Sequence, residues 1–278
     1  FEMARFWLND CLENHVECPK PTPFLPARVI DVGPPDGSKD PCLFEESLHD
    51  DELPSSERRY IALSHCWGPP PWFRTTNDTL DERRSSISMS DLPPTFRDAV
   101  VVTRMLNVRY LWIDSLCIIQ GNKEDWAKEA VRMCDYYQNA LCTITSAHSP
   151  SSHGGLFVQR DDLPLYKRAW VLQEMILSSR ALIYDPDAVR WECLSKYGSE
   201  PIAHLNQNLD VMDIIGDSIE QRASGWQHIV EDYMGRGLTN ESDRLIAMAG
   251  VAEAMQKHTS DVYIAGLWKN LLPYGLTW

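Results

Sequence analysis

The sequence predicts an α/β fold in which helices flank a mostly parallel β-sheet. Two observations carry this prediction. Short apolar or β-branched runs alternate with stretches of helical periodicity through most of the chain. The runs are also separated by segments long enough to hold a crossover helix. The composition fits a large folded core, since 44% of the 278 residues are hydrophobic and 24% are charged.

The first part of the chain predicts one helix followed by short strands. Apolar residues recur at roughly helical spacing over residues 3–18, and a proline-rich stretch that begins at Pro19 ends this helix. Strands are then predicted at 27–32, 41–47 and 60–65.

Strands and helices alternate from residue 95 onward. Capping-box patterns begin at Thr95 and at Asn122. Helices are predicted at 96–106, 124–138 and 166–177. Strands are predicted at 110–114, 141–146, 181–184 and 189–193. Because the first two helices serve as crossovers, the strands at 60–65, 110–114 and 141–146 should lie in one mostly parallel sheet.

The remainder of the chain has a helical pattern. Helices are predicted at 210–234, 242–257 and 262–272. We therefore expect two units: an α/β domain at 1–200 that includes the N-terminal helix, and a helical extension at 201–278 packed on it.

Charge and hydropathy exclude several classes of function. The chain has 26 Lys and Arg against 40 Asp and Glu, a net charge of −14, and its basic clusters are no longer than pairs. Such a chain is a poor partner for a phosphate backbone, so we expect no nucleic acid. No apolar run reaches the ~18 residues of a membrane span, and no signal peptide is visible, so we expect no membrane. Eight Cys are too few for a disulfide scaffold, and we expect reduced thiols and a cytoplasmic protein.

Common catalytic motifs are missing, and the informative segments are of another kind. The sequence has no GxGxxG, Walker A, HExxH, GxSxG or paired CxxC motif. Its informative segments are WLNDCLENHVEC (7–18), ALSHCWG (62–68), LPPTFRDAV (92–100), YLWIDSLCIIQ (110–120), DWAKEAVRMCDYYQNALCTITSA (125–147), RAWVLQE (168–174) and LTNESDRLIAMAGVA (238–252). In this order they resemble the fungal heterokaryon-incompatibility (HET) domain family.

This resemblance implies a role in fungal non-self recognition, in which the activated domain triggers programmed cell death. It also implies a distant similarity to TIR domains, and with it a TIR- or flavodoxin-like sheet. Some TIR domains cleave NAD⁺ with one glutamate on the helix after the third strand. The matching position is Glu174, four residues after Trp170, although Val171 stands where many TIR domains have Cys. The implied enzyme is an NAD⁺ glycohydrolase, a hydrolase of N-glycosyl bonds that needs no cofactor and takes NAD⁺ as substrate.

Glu174 is the candidate catalytic residue. Release of nicotinamide leaves an oxocarbenium-like ribose, which one carboxylate can stabilise, as in glycoside hydrolysis. The alternative is a structural role, in which Glu174 pairs with Arg168 or Arg180 and fixes its helix.

The segment Ser64–Gly68 supplies candidate substrate-binding residues, because it follows a strand at the edge where open α/β sheets bind ligands. These candidates are Ser64, His65, Cys66, Trp67 and Gly68. Adjacent strand residues point to opposite faces, so His65 and Cys66 should not form a nucleophile–base dyad. Gly68 would let the backbone approach a ligand. The alternative is a core-and-turn motif in which Trp67 is packing.

Asp114 and Trp170 complete the candidate binding set. Asp114 ends a predicted strand at the same edge, where it would hold a ribose hydroxyl or, alternatively, cap the turn that follows. Trp170 is placed on the same helix face as Glu174 by its spacing of four residues.

Cys11, His15 and Cys18 fall on one helical face, and with Cys42 as a fourth ligand they would suit zinc. The spacing is not that of a standard zinc finger, however, so we expect a buried helix face and no metal.

Two classes of function therefore remain open. The first is the NAD⁺-cleaving enzyme. The second is a non-enzymatic signalling module that self-associates or binds a partner signalling protein. A HET-like fold recruited to other small-molecule chemistry is a third alternative. HET-like chains usually carry a longer insert before the RAW motif, so we also expect residues to be missing near 158–165.

Overall fold

The computed structural model describes residues 1–48, 53–157, 164–185, 188–200, 218–238 and 240–275. The described residues form a sheet of eight strands, in the order β2-β1-β4-β3-β5-β6-β7-β8. Its strands are β1 (Val29–Asp31), β2 (Cys42–Phe44), β3 (Tyr60–Ser64), β4 (Tyr110–Trp112), β5 (Cys142–Ser146), β6 (Arg180–Tyr184), β7 (Val189–Cys193) and β8 (Tyr197–Glu200). The expected insert position, 158–163, lies outside the described residues.

The four central strands are parallel, and antiparallel strands close both edges. β4, β3, β5 and β6 pair in parallel, whereas β1 and β2 on one side and β7 and β8 on the other pair antiparallel. Numbered in chain order, the parallel strands lie as 2-1-3-4, which is the order of a flavodoxin-like doubly wound sheet. The prediction of an α/β fold with a mostly parallel central sheet is confirmed, and strands 60–65, 110–114 and 141–146 are neighbours.

Helices flank this sheet and form a separate group near the C-terminus. The longer ones are α1 (Glu2–Asn14), α2 (Leu80–Ser85), α3 (Pro94–Met105), α5 (Lys123–Gln138), α6 (Ala169–Leu177), α7 (Ile219–Gly235) and α8 (Ile246–Thr259). Single helical turns form α4 (Asp114–Cys117) and α9 (Leu272–Gly275). The part of the predicted helix 210–234 that precedes residue 218 lies outside the described residues.

Two sequence predictions about local structure are wrong. Thr95 does not cap α3, because that helix begins at Pro94 and the Thr95 hydroxyl donates to the Ser151 carbonyl instead. The predicted helix at 262–272 is interrupted by a hairpin of β9 (Tyr263–Ile264) and β10 (Leu267–Trp268). Ala265 and Gly266 have φ of 45° and 104°, which no right-handed helix contains.

The apolar side chains form two main cores. The larger one lies on the two faces of the sheet, and the smaller one joins α6, α7, α8 and the β9–β10 hairpin. Trp226 and Trp268 meet edge to face in the smaller core, with their ring centroids 5.4 Å apart. α6 contributes to both cores and therefore has little freedom to move. The division into domains at residue 200 stays a prediction.

None of the helices in the described part of the chain is long and apolar enough to span a bilayer.

Candidate functional site

The topology places the candidate site where strand order reverses. β3 lies between β4 and β5: the chain runs from β3 to β4 on one side and then crosses back past β3 to β5 on the other. Ligands of doubly wound sheets bind outside the carboxyl ends of the strands at such a switch point. Here the residues that follow β3 and β5 are His65–Gly68 and Ala147–Ser149, respectively. The sheet therefore brings two polar segments, SHCWG and SAHS, to one edge.

Glu174 is buried beside this edge. It lies in the second turn of α6 and is only 6% exposed. Its Oε2 has no hydrogen-bond partner among the described residues, and neither does the Oγ of Ser64. Burial raises the pKa of Glu174 to about 7, which Arg168 and the hydroxyl groups of Ser64 and Tyr137 only partly offset, while Asp114 raises it further. Glu174 therefore exchanges a proton near neutral pH, as an active-site acid or base does.

The ion pairs expected under the structural alternative are not observed for Glu174. Arg168 donates from Nη1 to the carbonyl of His65, and Arg180 donates to Cys11 Sγ and to the Pro19 carbonyl. No cation lies within 4.0 Å of the Glu174 carboxylate in the part of the chain that the structure describes. Arg168 acts on Glu174 only through its longer-range field.

His65 is a second buried group without partners. Both of its ring nitrogens lack hydrogen bonds among the described residues, and its ring meets Phe96 edge to face at 4.9 Å. Burial lowers the pKa of His65 to about 4, although Asp114, whose Oδ1 lies 3.9 Å from Nδ1, opposes the shift. His65 is therefore neutral at physiological pH and holds an unused donor and an unused acceptor.

Cys66 points away from His65, as strand geometry predicts. It packs with Leu165 and Val171 in a small apolar cluster. Burial raises the pKa of its thiol, so Cys66 is a neutral packing group and not a nucleophile. The two residues form no dyad.

Asp114 connects the two loops at this edge. Its Oδ2 accepts the Trp67 indole N–H at 2.7 Å, and its Oδ1 accepts the amide of Ser115 at 2.6 Å. These are the contacts expected if Asp114 caps the turn that follows it. Its side chain is nevertheless 21% exposed. The contact with Trp67 joins the loop after β3 to the loop after β4.

Gly68 makes a close contact within the chain. Its φ is +75°, and a Cβ at this position would lie 2.2 Å from the Cβ of Ser151. The Ser151 segment is held by α3, where the Thr95 hydroxyl accepts the Gly155 amide and Asp98 accepts the Leu156 amide. The space next to Gly68 is therefore filled by a loop of this chain, and its role in substrate binding stays a prediction.

Trp170 packs between the two cores. It is half-buried and touches both the sheet core and the smaller helical core. Trp170 therefore packs α6 against its surroundings. Only its position on the same helix face as Glu174 supports a role in substrate binding.

The sequence analysis missed several polar groups at the same edge. Unpartnered buried atoms among the described residues include Thr75 Oγ1, Ser115 Oγ, Ser146 Oγ and His148 Nε2. The Nδ1 of His148 bonds the Tyr184 carbonyl at 2.8 Å, which fixes the ring. The signal was available, since Ser146 and His148 follow a predicted strand at the edge already chosen for Ser64.

A separate cluster of metal-binding side chains lies beside α1. The ligand atoms of Cys11, His15, Cys18 and Cys193 all lie within 4.8 Å of one another. Cys42, the fourth ligand considered from sequence, is on β2 at the opposite edge of the sheet from β7, so it does not join them. Sequence spacing could not find Cys193, because it is brought in by the fold.

A described cavity of about 390 Å³ also lies away from Glu174. It is lined by residues near the start of β6, including Ser178 and Arg180, and by the segment after α1, including Lys20. These residues are at the amino end of the parallel strands, so this cavity is not the expected ligand site.

The fold and the edge thus define a doubly wound α/β domain with a polar, partly unsatisfied site at its switch point. Residues 60–162, a little over a third of the chain, match the family model of the Heterokaryon incompatibility protein (HET). This segment is similar to the HET family, as the motifs indicated. The match includes β3, β4 and β5 and ends before Glu174. No curated protein and no solved structure matches the chain.

Proposed function

We propose that this chain is a HET protein that acts in fungal non-self recognition and cell-death signalling by cleaving NAD⁺ with Glu174. One observation carries the proposal: a carboxyl group that is only 6% exposed lies close enough to Ser64 and Asp114 for both to shift its pKa, and its Oε2 has no hydrogen-bond partner among the described residues. Buried polar groups without partners destabilise a fold by about 1–3 kcal/mol each, so a set of them at a ligand edge favours a binding role.

The reaction breaks the bond between ribose C1′ and the nicotinamide nitrogen. Nicotinamide leaves as a neutral molecule with the bonding electron pair, and a positive charge develops on the ribose. Ionised Glu174 would stabilise that charge, and the low dielectric of a buried site would strengthen the effect. Water then adds to C1′ and releases a proton, which gives ADP-ribose.

Neighbouring residues would bind the substrate under this proposal. The His65 ring nitrogens and the Ser64 hydroxyl would pair with ribose or amide groups, and the His65 nitrogens would thereby gain partners that they do not have among the described residues. Asp114, already oriented by Trp67, would accept a ribose hydroxyl through its exposed fraction. Arg168 would keep part of Glu174 ionised at neutral pH.

The pH dependence follows from the same carboxyl group. Because the ionised form is needed and the pKa of Glu174 is about 7, kcat/KM should rise with pH through about 7 and level off above it. A profile that is flat from pH 5 to 9 would argue against Glu174 as the working group.

The direct experiment incubates the purified protein with NAD⁺ and follows nicotinamide and ADP-ribose together. We expect release by the wild type and none by Glu174→Gln, which keeps the side-chain size but removes the charge. Glu253→Gln is the matched control, since this carboxylate is exposed and pairs only with neighbours outside the site. It should retain the wild-type rate.

A wild type that releases no nicotinamide would contradict the enzyme proposal. The second function would then apply, in which the domain self-associates or binds a signalling partner without chemistry of its own. Turnover of another small molecule, abolished by the same Glu174→Gln change, would support a HET-like fold recruited to different chemistry. Under each of these proposals the protein acts in the cytoplasm.

A further inference from the structure

The side-chain cluster beside α1 has the ligand set of a structural zinc site. Cys11 lies on α1, while His15 and Cys18 follow it closely in the chain. Cys193 is the last residue of β7, about 180 positions later in sequence. Three thiols and one imidazole from two distant segments are among the donor sets that tetrahedral Zn²⁺ prefers.

The distances suit tetrahedral coordination. With Zn–S near 2.3 Å and Zn–N near 2.0 Å, adjacent sulfur and nitrogen ligands should be about 3.6 Å apart. The His15 Nδ1 lies 3.8 Å from Cys18 Sγ and 3.3 Å from Cys193 Sγ. All four ligand atoms fall within 4.8 Å of one another, so they surround a common centre with little rearrangement.

Groups around the cluster support the same assignment. The Nε2 of His15 faces Asp10, with Oδ2 at 3.5 Å, which leaves Nδ1 to point at the two sulfurs. A carboxylate on the far nitrogen is the usual partner of a metal-binding histidine, because it fixes the tautomer and the ring orientation.

Arg180 supplies an independent argument from charge. Its side chain is buried at 3% exposure, and its Nε donates to Cys11 Sγ at 3.1 Å. None of the ion pairs in the described ranges contains Arg180, although a buried cation requires compensating negative charge. Zn²⁺ with three thiolates and a neutral imidazole has a net charge of −1, which would balance the guanidinium.

We propose that Cys11, His15, Cys18 and Cys193 bind one structural Zn²⁺ that fastens α1 to the β7–β8 hairpin. Binding replaces the three thiol protons, which are released to solvent, and leaves no open coordination position for catalysis. The site would stabilise the edge of the sheet remote from β2. This inference does not depend on NAD⁺ cleavage, and it revises the sequence expectation that no metal binds.

Metal content tests the proposal directly. The full chain is refolded or purified under reducing conditions with Zn²⁺, dialysed, and analysed for zinc by mass spectrometry. We expect about one zinc per chain. Replacement by Co²⁺ should give the intense visible bands of tetrahedral cobalt together with sulfur-to-cobalt charge transfer.

Two cysteine variants separate the site from general thiol binding. Cys193→Ser should lower zinc affinity at least 100-fold, whereas Cys42→Ser, which removes a half-buried thiol outside the cluster, should bind zinc like the wild type. Asp10→Asn keeps all four ligands and should lower affinity about 10- to 100-fold, which keeps the test valid if Cys193→Ser does not fold.

Three results would overturn the proposal. One is a wild type without zinc after reconstitution, and another is a Cys193→Ser variant that binds zinc as tightly as the wild type. The third is a disulfide between two of these cysteines in protein purified without reductant and reconstituted with zinc, detected by non-reducing mass spectrometry.

Discussion

Two carboxylates on helices that flank the sheet differ in the hydrogen-bond partners that they have. Asp125 on α5 accepts two hydrogen bonds from Arg28, at 2.6 and 2.7 Å, and a third from the Ile119 amide at 2.8 Å. Glu174 on α6 has one oxygen without any hydrogen bond among the described residues. The side chain of Asp125 is 12% exposed and Glu174 is 6% exposed, so the main difference lies in the partners that the chain supplies.

The contrast separates a structural group from a candidate functional one. A carboxylate whose two oxygens both accept from one guanidinium nitrogen is stabilised in its ionised state and holds its neighbours in place. A buried carboxyl without such a partner raises the free energy of the fold, and its pKa of about 7 reflects that penalty. Selection for a ligand would explain why Glu174 is left in this state.

The largest expected effect is on the satisfied pair. Arg28→Met should lower the free energy of unfolding by about 3–5 kcal/mol, because the buried Glu129 and the half-buried Asp125 would both lose the cation that compensates them. Denaturant unfolding at pH 7 measures the change. Lys257→Met is the control, since it removes an exposed pair with Glu253 and should change stability by less than about 1 kcal/mol. Equal effects of the two substitutions would mean that the Arg28–Asp125 pair stabilises the fold no more than an exposed ion pair does.

The next largest loss of stability is expected from a substitution at Gly68, in the loop that follows β3. Gly68→Ala should destabilise the protein by about 2–4 kcal/mol, because the new methyl group would collide with Ser151 in addition to the strain of its positive φ. Gly121→Ala is the matched control, with φ of +82° and no atom within 4 Å of its Cβ. It should cost about 1–2 kcal/mol from backbone strain alone. If both variants lose the same amount in thermal unfolding, the contact with Ser151 contributes nothing.

Removing the charge at Glu174 should stabilise the protein at high pH. The pKa of Glu174 is about 7 in the folded state against 4.5 as its ordinary value, so the folded state keeps a proton that the unfolded chain has released. Stability therefore falls as pH rises from about 4.5 to about 7 and stays low above that. Glu174→Gln has no carboxyl group to ionise and so does not lose stability over this range. It should be about 1–3 kcal/mol more stable than the wild type at pH 8.

The measurement compares Tm for both proteins at pH 4.5 and pH 8. The advantage of Glu174→Gln should grow between these two values. A variant that is less stable than the wild type at pH 8 would indicate that the carboxylate has a stabilising partner, and the contrast with Asp125 would not hold.

Much of the fold could be predicted from local sequence, because period and caps are local properties. The buried run YIALS predicted β3. The prediction that Asn122 caps the following helix is confirmed, since its side chain accepts the amides of Glu124 and Asp125. The hairpin at Tyr263–Trp268 could not be predicted, because its apolar residues have helical spacing and only packing against Trp226 selects the turn.

The candidate site, too, could be predicted from the sequence only in part. The carboxyl ends of predicted parallel strands gave the edge, and the resemblance to TIR domains gave Glu174. Whether Glu174 is paired depends on where Arg168 and Arg180 reach, which is a property of tertiary packing. Cys193 joins Cys11 for the same reason: two segments far apart in sequence meet only when β7 packs against α1.

His65 should produce the smallest effect and the sharpest comparison with Glu174. The pKa of His65 is about 4 in the folded state against 6.5 as its ordinary value, so the unfolded chain binds a proton that the folded state refuses. Its contribution therefore makes stability fall as pH drops from about 6.5 to about 4, opposite to that of Glu174. Each group contributes a slope of about 1.4 kcal/mol per pH unit, and between about pH 4.5 and 6.5 the two nearly cancel in the wild type.

His65→Phe keeps the ring against Phe96 but removes the titration, so relative to the wild type it should gain about 1–2 kcal/mol at pH 5. Glu174→Gln should show the reverse slope, and the double variant should follow the wild type across this window. Urea unfolding at half-unit pH steps gives all four curves, and parallel curves for the two single variants would mean that these groups do not titrate as their burial requires.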